Sequence, residues 1–312
     1  MSETLERYHQ HSASPYAKKF GRVITAMITP FDADGQLNYR EANELASYLL
    51  GHGSDSLVLA GTTGESPTLT HNEQRDLFEH IRSSTDNTLI AGTGSNSTEE
   101  AASLARYVTD HELADGLLVV SPYYNRPSQY GIQEYYHRIA SETDLPIIAY
   151  NIPTRTGRAI EDRTLISLAA DHPNIVGLKD AGGDTASVRE LIESRDLPED
   201  FVVYSGDDNR NLELAQAGAV GAISVASHWT GNRIQAMYAA LDRNDTITAH
   251  NIHTSLEPDY SYESSNDAPN PQPTKTLLHE AGLISSDYAR PPMSIHPKIH
   301  RALAQQARAL LR

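Results

Sequence analysis

Cysteine is absent from the 312 residues, which excludes disulfides and thiol nucleophiles and removes the sulfur ligands that most structural zinc sites use. No run of about 18 apolar residues is present to cross a bilayer. The start, Met1 to Phe20, is polar and lacks the apolar core of a signal peptide. A soluble, cytoplasmic protein with no membrane partner is therefore expected. Basic residues are few, 25 against 41 acidic, and the formal net charge of −16 would repel a phosphate backbone. Nucleic acid is not an expected partner. The acid excess reads as a solvated surface, with adaptation to salt as the weaker alternative.

Eight short apolar runs are present: Val23 to Ile28, Ser56 to Ala60, Thr88 to Ala91, Gly116 to Val120, Pro146 to Tyr150, Ile175 to Leu178, Phe201 to Tyr204 and Val220 to Ser224. Most lack polar/apolar alternation, as parallel strands covered on both faces do. Helical stripes lie between them, for example Ala101, Leu104, Ala105 and Val108, or Ile132, Tyr135, Tyr136 and Ile139. Eight such units fit a closed barrel better than an open sheet, because at eight strands side chains can fill the interior. The fold class expected is α/β, a (β/α)8 TIM barrel with a C-terminal helical extension. Residues 1–19 are expected to be a flexible tail, 20–244 the barrel, and 245–312 a helical appendage in which 257–273, rich in Pro, Ser, Asn and Asp, is loose.

Active sites of such barrels collect at the carboxyl ends of the strands. The run ending in Lys179 follows the run ending in Tyr150. If the two are neighbours, an amine and a phenol share one pocket, which suits carbonyl chemistry through an imine. At pH 7 an amine of pKa near 10.4 is only about 0.04% neutral, whereas desolvation to near 8 frees roughly a tenth of it. The competing readings are an ion pair of Lys179 with Asp180 or Asp207 and a Tyr150 that only packs. Gly61-Thr62-Thr63-Gly64-Glu65-Ser66 suits a small carboxylate through backbone amides and paired hydroxyls, or is a helix start, since Thr70-x-x-Glu73 resembles a capping box. Arg155 would grip a second carboxylate as a fork or stand as a solvated loop cation. Gly92-Thr93-Gly94 reads as a tight turn rather than a dinucleotide site, and His296 with His300 lacks a third metal ligand in view. No metal and no cofactor are expected.

Together, Gly61 to Ser66, Ser121-Pro122-Tyr123-Tyr124-Asn125-Arg126-Pro127-Ser128-Gln129, Tyr150-Asn151-Ile152-Pro153-Thr154-Arg155-Thr156-Gly157, Gly177-Leu178-Lys179-Asp180 and Ser205-Gly206-Asp207-Asp208 resemble the dihydrodipicolinate synthase branch of the pyruvate-dependent class I aldolase and lyase superfamily. The resemblance runs from about Gly21 to the carboxyl terminus. It implies a lyase in which Lys179 forms an imine with pyruvate, the derived enamine attacks L-aspartate 4-semialdehyde, and cyclisation releases the product on the diaminopimelate route to lysine. It implies that Tyr150 assists, that Thr63 links it to Tyr124 in a proton relay, and that Thr62 and Thr63 hold the pyruvate carboxylate. It implies further that Arg155 receives the carboxylate of the semialdehyde and that Gly206 and Ile223 line the pyruvate pocket.

In the family the tyrosine matching Tyr124 reaches into a neighbouring subunit, which implies a homo-oligomer, usually a dimer of dimers. An allosteric lysine pocket would use Ser66, His71, Asn96, Glu100 and Tyr123, whereas Pro67 and Gln74 depart from a lysine-sensitive pattern, so inhibition is expected to be weak or absent. The alternatives are a 2-keto-3-deoxy-gluconate type aldolase or an N-acetylneuraminate lyase-like enzyme, disfavoured by Arg155-Thr156-Gly157, and more distantly a non-catalytic keto-acid-binding barrel.

Overall fold

A computed structural model describes residues 3–182 and 184–311. Each of the eight apolar runs contributes a strand: β1 (Val23–Ala26), β2 (Ser56–Leu59), β3 (Leu89–Gly92), β4 (Gly116–Val120), β5 (Ile147–Asn151), β6 (Ile175–Asp180), β7 (Val202–Ser205) and β8 (Gly221–Ser224). They close in chain order into one parallel barrel, β8 returning to β1. The interior is filled from alternate positions, among them Ile24, Val58, Ile90, Leu118, Ile148, Val202 and Ile223. The opposite positions, such as Leu57, Leu89, Leu117 and Ile147, pack outward beneath the helices. Burial on both faces is why these strands read as unbroken apolar runs rather than as alternation.

The helices follow their stripes. Thr98–Asp110 buries Ala101, Leu104, Ala105 and Val108, and Gln129–Ala140 buries Ile132, Tyr135, Tyr136 and Ile139. Thr70 and Glu73 form a reciprocal capping box at the start of the helix His71–Ser84. After β8 the helix Ser227–Asp242 completes the barrel, and helices Thr246–Ser255, Glu257–Tyr262, Gln272–Glu280 and Pro297–Leu310 follow.

Two expectations are corrected. Residues 1–19 were expected to be loose, yet Glu3–Ser12 and Pro15–Phe20 are helices. Leu5 and Tyr8, one helical turn apart, are buried, the Tyr8 hydroxyl donates to Asp242 at 2.9 Å, and the Arg22 guanidinium lies 4.9 Å from the Tyr8 ring centre. Phe20 packs among the residues that fill the barrel. A few well-placed aromatics dock a segment whose remaining residues are polar. The stretch 257–273 is likewise ordered by burial: Asp259, Tyr260 and Tyr262 are buried, and Trp229 donates from its indole nitrogen to Asp259 at 2.8 Å.

Candidate active site

Lys179 faces the barrel interior because strand β6 breaks its alternation. Ile147 pairs with Ile175 and Ile148 with Gly177, so Val176 is an extra residue in β6. Val176 packs inside the barrel while Leu178 packs outside it. Without the bulge, strict alternation would send Lys179 outward; with it, the lysine follows Val176 inward. Gly177 allows the distortion, since a Cβ there would stand 2.7 Å from the Val202 carbonyl oxygen.

The pairing then places Lys179 directly beside Tyr150. The amine lies 4.4 Å from the centre of the phenol ring, and the lysine is 4% exposed. Burial pulls the Lys179 amine down to about 8, against the attraction of Asp208, with Arg155 lowering it further. Burial also pushes the Tyr150 phenol up to about 12, opposed first by a hydrogen bond with Thr62 and then by the Arg155 charge. At neutral pH the pair is therefore a partly deprotonated amine beside a protonated phenol. Among the described residues no carboxylate forms a salt bridge with Lys179. Asp180 accepts from the Asn151 side chain at 3.0 Å and from the Gly182 amide at 3.2 Å.

Gly206 closes the pocket over the lysine. A Cβ on it would meet Lys179 Cε at 3.0 Å, so any side chain there would crowd the amine. Its amide donates to the Asp180 carbonyl at 2.7 Å, holding the end of β7 against β6. Ile223, on β8, is a buried member of the same barrel interior as Tyr150. Asp208 accepts from the amides of Val225 and Ala226 at 2.7 and 3.0 Å. Glu263 lies against Asp208. Burial first, and the Asp208 charge second, push its carboxyl well above the usual range.

The loop after β2 brings the hydroxyls. Thr62 lines a cavity with Gly61, Tyr123, Tyr150, Ile152 and Arg155. Thr62 shares that cavity with Tyr150, and its side chain opposes the upward push on the phenol. Thr63 is buried, and the Asn270 side chain donates to its Oγ1 at 3.0 Å. The loop is a turn closed by bonds from the Glu65 amide to the Thr62 carbonyl at 3.1 Å and from the Ser66 amide to the Gly61 carbonyl at 3.2 Å.

Arg155 is exposed at the cavity rim, in a short helical turn, Pro153–Thr156. The turn is pinned by Thr156, whose hydroxyl donates to the Ile152 carbonyl at 3.0 Å, and by Asn151, which accepts from the Ile160 amide at 3.1 Å. Tyr124 does not join this group within one chain: it is 87% exposed, and its backbone is left-handed, φ 71°. Such a backbone is costly for a tyrosine and points to a role beyond packing.

Ser66, His71, Glu100 and Tyr123 line an adjacent cavity together with Pro67 and Gln74. Asn96 is not among its lining; its carbonyl accepts from the Asn125 side chain at 3.0 Å. Gln74 donates to the Ser66 hydroxyl at 2.9 Å. Of the two histidines weighed as a metal pair, His300 faces Asp287 and His296 accepts from the Lys298 amide. Among the described residues no cluster of three His, Cys, Asp or Glu would hold a metal ion, and no helix is long and apolar enough to cross a membrane.

Sequence reasoning missed Asn270, Lys275 and Glu263. The available signal was Asn270-Pro271-Gln272-Pro273-Thr274-Lys275, leading into a helix whose residues Gln272 to Leu278 are all buried. A lysine flanked by threonines at the start of an apolar helix has few reasons to be there unless it pairs.

The sequence model of the Dihydrodipicolinate synthetase family matches residues 19–309. The 4-hydroxy-tetrahydrodipicolinate synthase of Moorella thermoacetica is 45% identical over 267 residues, covering 85% of this chain and 89% of its own. That of Bacillus subtilis is 44% identical over 266 residues, covering 85% and 90%. The crystal structure of the dihydrodipicolinate synthase from Cyanidioschyzon merolae with lysine bound superposes with a TM-score of 0.87 at 39% identity, covering 93% of this chain and 97% of the other.

Proposed function

The chain belongs to the Dihydrodipicolinate synthetase family, and on that premise we propose that it is a lyase catalysing the 4-hydroxy-tetrahydrodipicolinate synthase reaction. Its substrates are pyruvate and L-aspartate 4-semialdehyde. The observation that carries this reading is the dry amine of Lys179, 4.4 Å from the centre of the Tyr150 ring at the carboxyl end of a closed barrel.

The free amine attacks the keto carbon of pyruvate, and the resulting carbinolamine loses water to form a protonated imine. Tyr150, a phenol at neutral pH, donates the proton that turns the departing hydroxyl into water, and Thr62 orients it. The imine nitrogen then draws electrons from the methyl group, which loses a proton and becomes the nucleophilic carbon of an enamine. That carbon attacks the aldehyde of the second substrate. The amino group of the semialdehyde finally displaces Lys179 and closes the ring. Backbone amides and hydroxyls of the Gly61 to Ser66 loop hold the pyruvate carboxylate, Gly206 and Ile223 shape its pocket, and the Arg155 fork takes the carboxylate of the semialdehyde.

Tyr124 completes the site from a second copy of the chain. Its exposure and strained backbone support this reading, and the assembly it implies is a dimer of dimers. L-Lysine inhibits weakly or not at all, because Gln74 and Pro67 occupy the adjacent cavity where a lysine-sensitive site would need other groups. Turnover is tested by incubating pyruvate with aspartate semialdehyde, and 2-keto-3-deoxy-gluconate alone, with the same preparation. Faster consumption of the sugar acid overturns the assignment.

A further inference from the structure

The backbone of the loop after β2 is left-handed at both ends, at Ala60 (φ 49°) and at Glu65 (φ 55°). Neither residue is a glycine, so this shape persists only if surrounding contacts fix it. Thr29 supplies one, its hydroxyl donating to the Gly64 carbonyl at 2.7 Å, and others come from the far end of the chain. The Asn270 side chain donates to Thr63 Oγ1 at 3.0 Å, across 207 positions of sequence. Lys275, with no exposed surface, forms a buried ion pair with Glu65, and the Arg290 amide donates to the other Glu65 oxygen at 3.0 Å. Lys275 is itself held by the Tyr288 carbonyl at 2.9 Å and lies 4.1 Å from the centre of the Phe31 ring.

We propose that Asn270 is a positioning residue for the reaction: by fixing the Thr63 hydroxyl it holds the Gly61 to Glu65 loop in the shape that presents Thr62 and the loop amides to the pyruvate carboxylate. Asn270 is 9% exposed and touches no part of the proposed reacting atoms; it acts through Thr63. Its amide has two N–H donors. One donor to Thr63 occupies a lone pair of that hydroxyl, which turns the hydroxyl proton away from Asn270. The pair Lys275–Glu65 anchors the other end of the same loop. The helical appendage, remote in sequence from every residue of the imine chemistry, thereby braces the loop that binds the first substrate.

This inference rests on the reading of Lys179 and pyruvate given above, and its test separates the two. Asn270→Ala and the near-isosteric Asn270→Asp, which loses the donor, are compared with Leu303→Ala, a packing change in the same appendage. Loss of one buried hydrogen bond and of the loop geometry it holds should raise KM for pyruvate about tenfold in both Asn270 variants. KM for the semialdehyde should stay unchanged, and kcat should fall much less than KM rises. Leu303→Ala should lower the unfolding temperature and leave KM for pyruvate as in the wild type. The half-saturating pyruvate concentration for borohydride trapping on Lys179 should move with KM. An unchanged KM for pyruvate in Asn270→Ala, or an equal rise in Leu303→Ala, overturns the proposal. Absence of any trapped adduct in the wild type would instead bring down the assignment of Lys179 itself.

Discussion

Lys179 and Tyr150 are register partners on adjacent strands, and an unpaired Val176 in β6 turns the lysine toward the phenol. Backbone pairing sets the two residues side by side, and burial of the lysine holds its amine 4.4 Å from the ring centre. Such a pair keeps its geometry before substrate arrives.

The buried amine sets the pH profile. With the Lys179 amine lowered to about 8, and the free base as the nucleophile, the rate of imine formation should climb about tenfold per pH unit below 8 and level off above it. Tyr150, pushed up to about 12, stays protonated throughout and adds no second limb below pH 9. Single-turnover rates with pyruvate from pH 6 to 9 measure this. A profile flat from pH 6 upward would mean that the amine is not the titrating group.

Thr62 and Thr63 should separate in kinetics. Thr62→Val removes the hydroxyl beside the phenol and, like Tyr150→Phe, is expected to slow turnover by about 10²- to 10³-fold at saturating pyruvate. Thr63→Val, which breaks the contact with Asn270, should act mainly on KM for pyruvate. Equal losses of kcat in both threonine variants would contradict the placement of Thr62 next to Tyr150.

The sequence made the barrel legible because parallel strands buried on both faces leave plain apolar runs, and all eight became strands. Lys179 and Tyr150 stood out for a related reason: a charged or phenolic group ending such a run has to be accounted for. What stayed hidden depends on contacts distant in sequence. Nothing near Val176 announces the bulge, and only its pairing with β5 reveals it. Asn270 lies in a stretch whose Ser, Asn and Pro content reads as a loop, and its contact with Thr63 joins positions 207 apart in sequence. The N-terminal helices were missed because Leu5, Tyr8 and Phe20 are too sparse to make a stripe, yet each finds a buried place. The different surroundings of Thr62, in the cavity with Tyr150, and Thr63, against Asn270, are likewise not encoded in spacing.

Tyr124 offers a test of the proposal that two copies of the chain share a site. Tyr124→Ala and Lys179→Ala should each be nearly inactive alone. Subunits of the two mixed after dissociation should regain part of the wild-type rate, because one hybrid site then combines an intact lysine with an intact tyrosine from the other chain. No recovery, with hybrids shown to form by mass, would place Tyr124 outside the chemistry of a neighbouring site.

The cavity lined by His71, Glu100, Tyr123 and Gln74 is the place where the proposed weak response to L-lysine is tested. Gln74 already bonds Ser66 there, so millimolar L-lysine should change the initial rate little. Half-maximal inhibition well below millimolar would refute this.

The central claim is most directly tested by borohydride reduction in the presence of pyruvate, followed by peptide mass mapping. The prediction is a single covalent three-carbon addition on Lys179, absent without pyruvate and absent in Lys179→Ala. Full turnover with no addition on Lys179, or the addition on another lysine, would contradict the account.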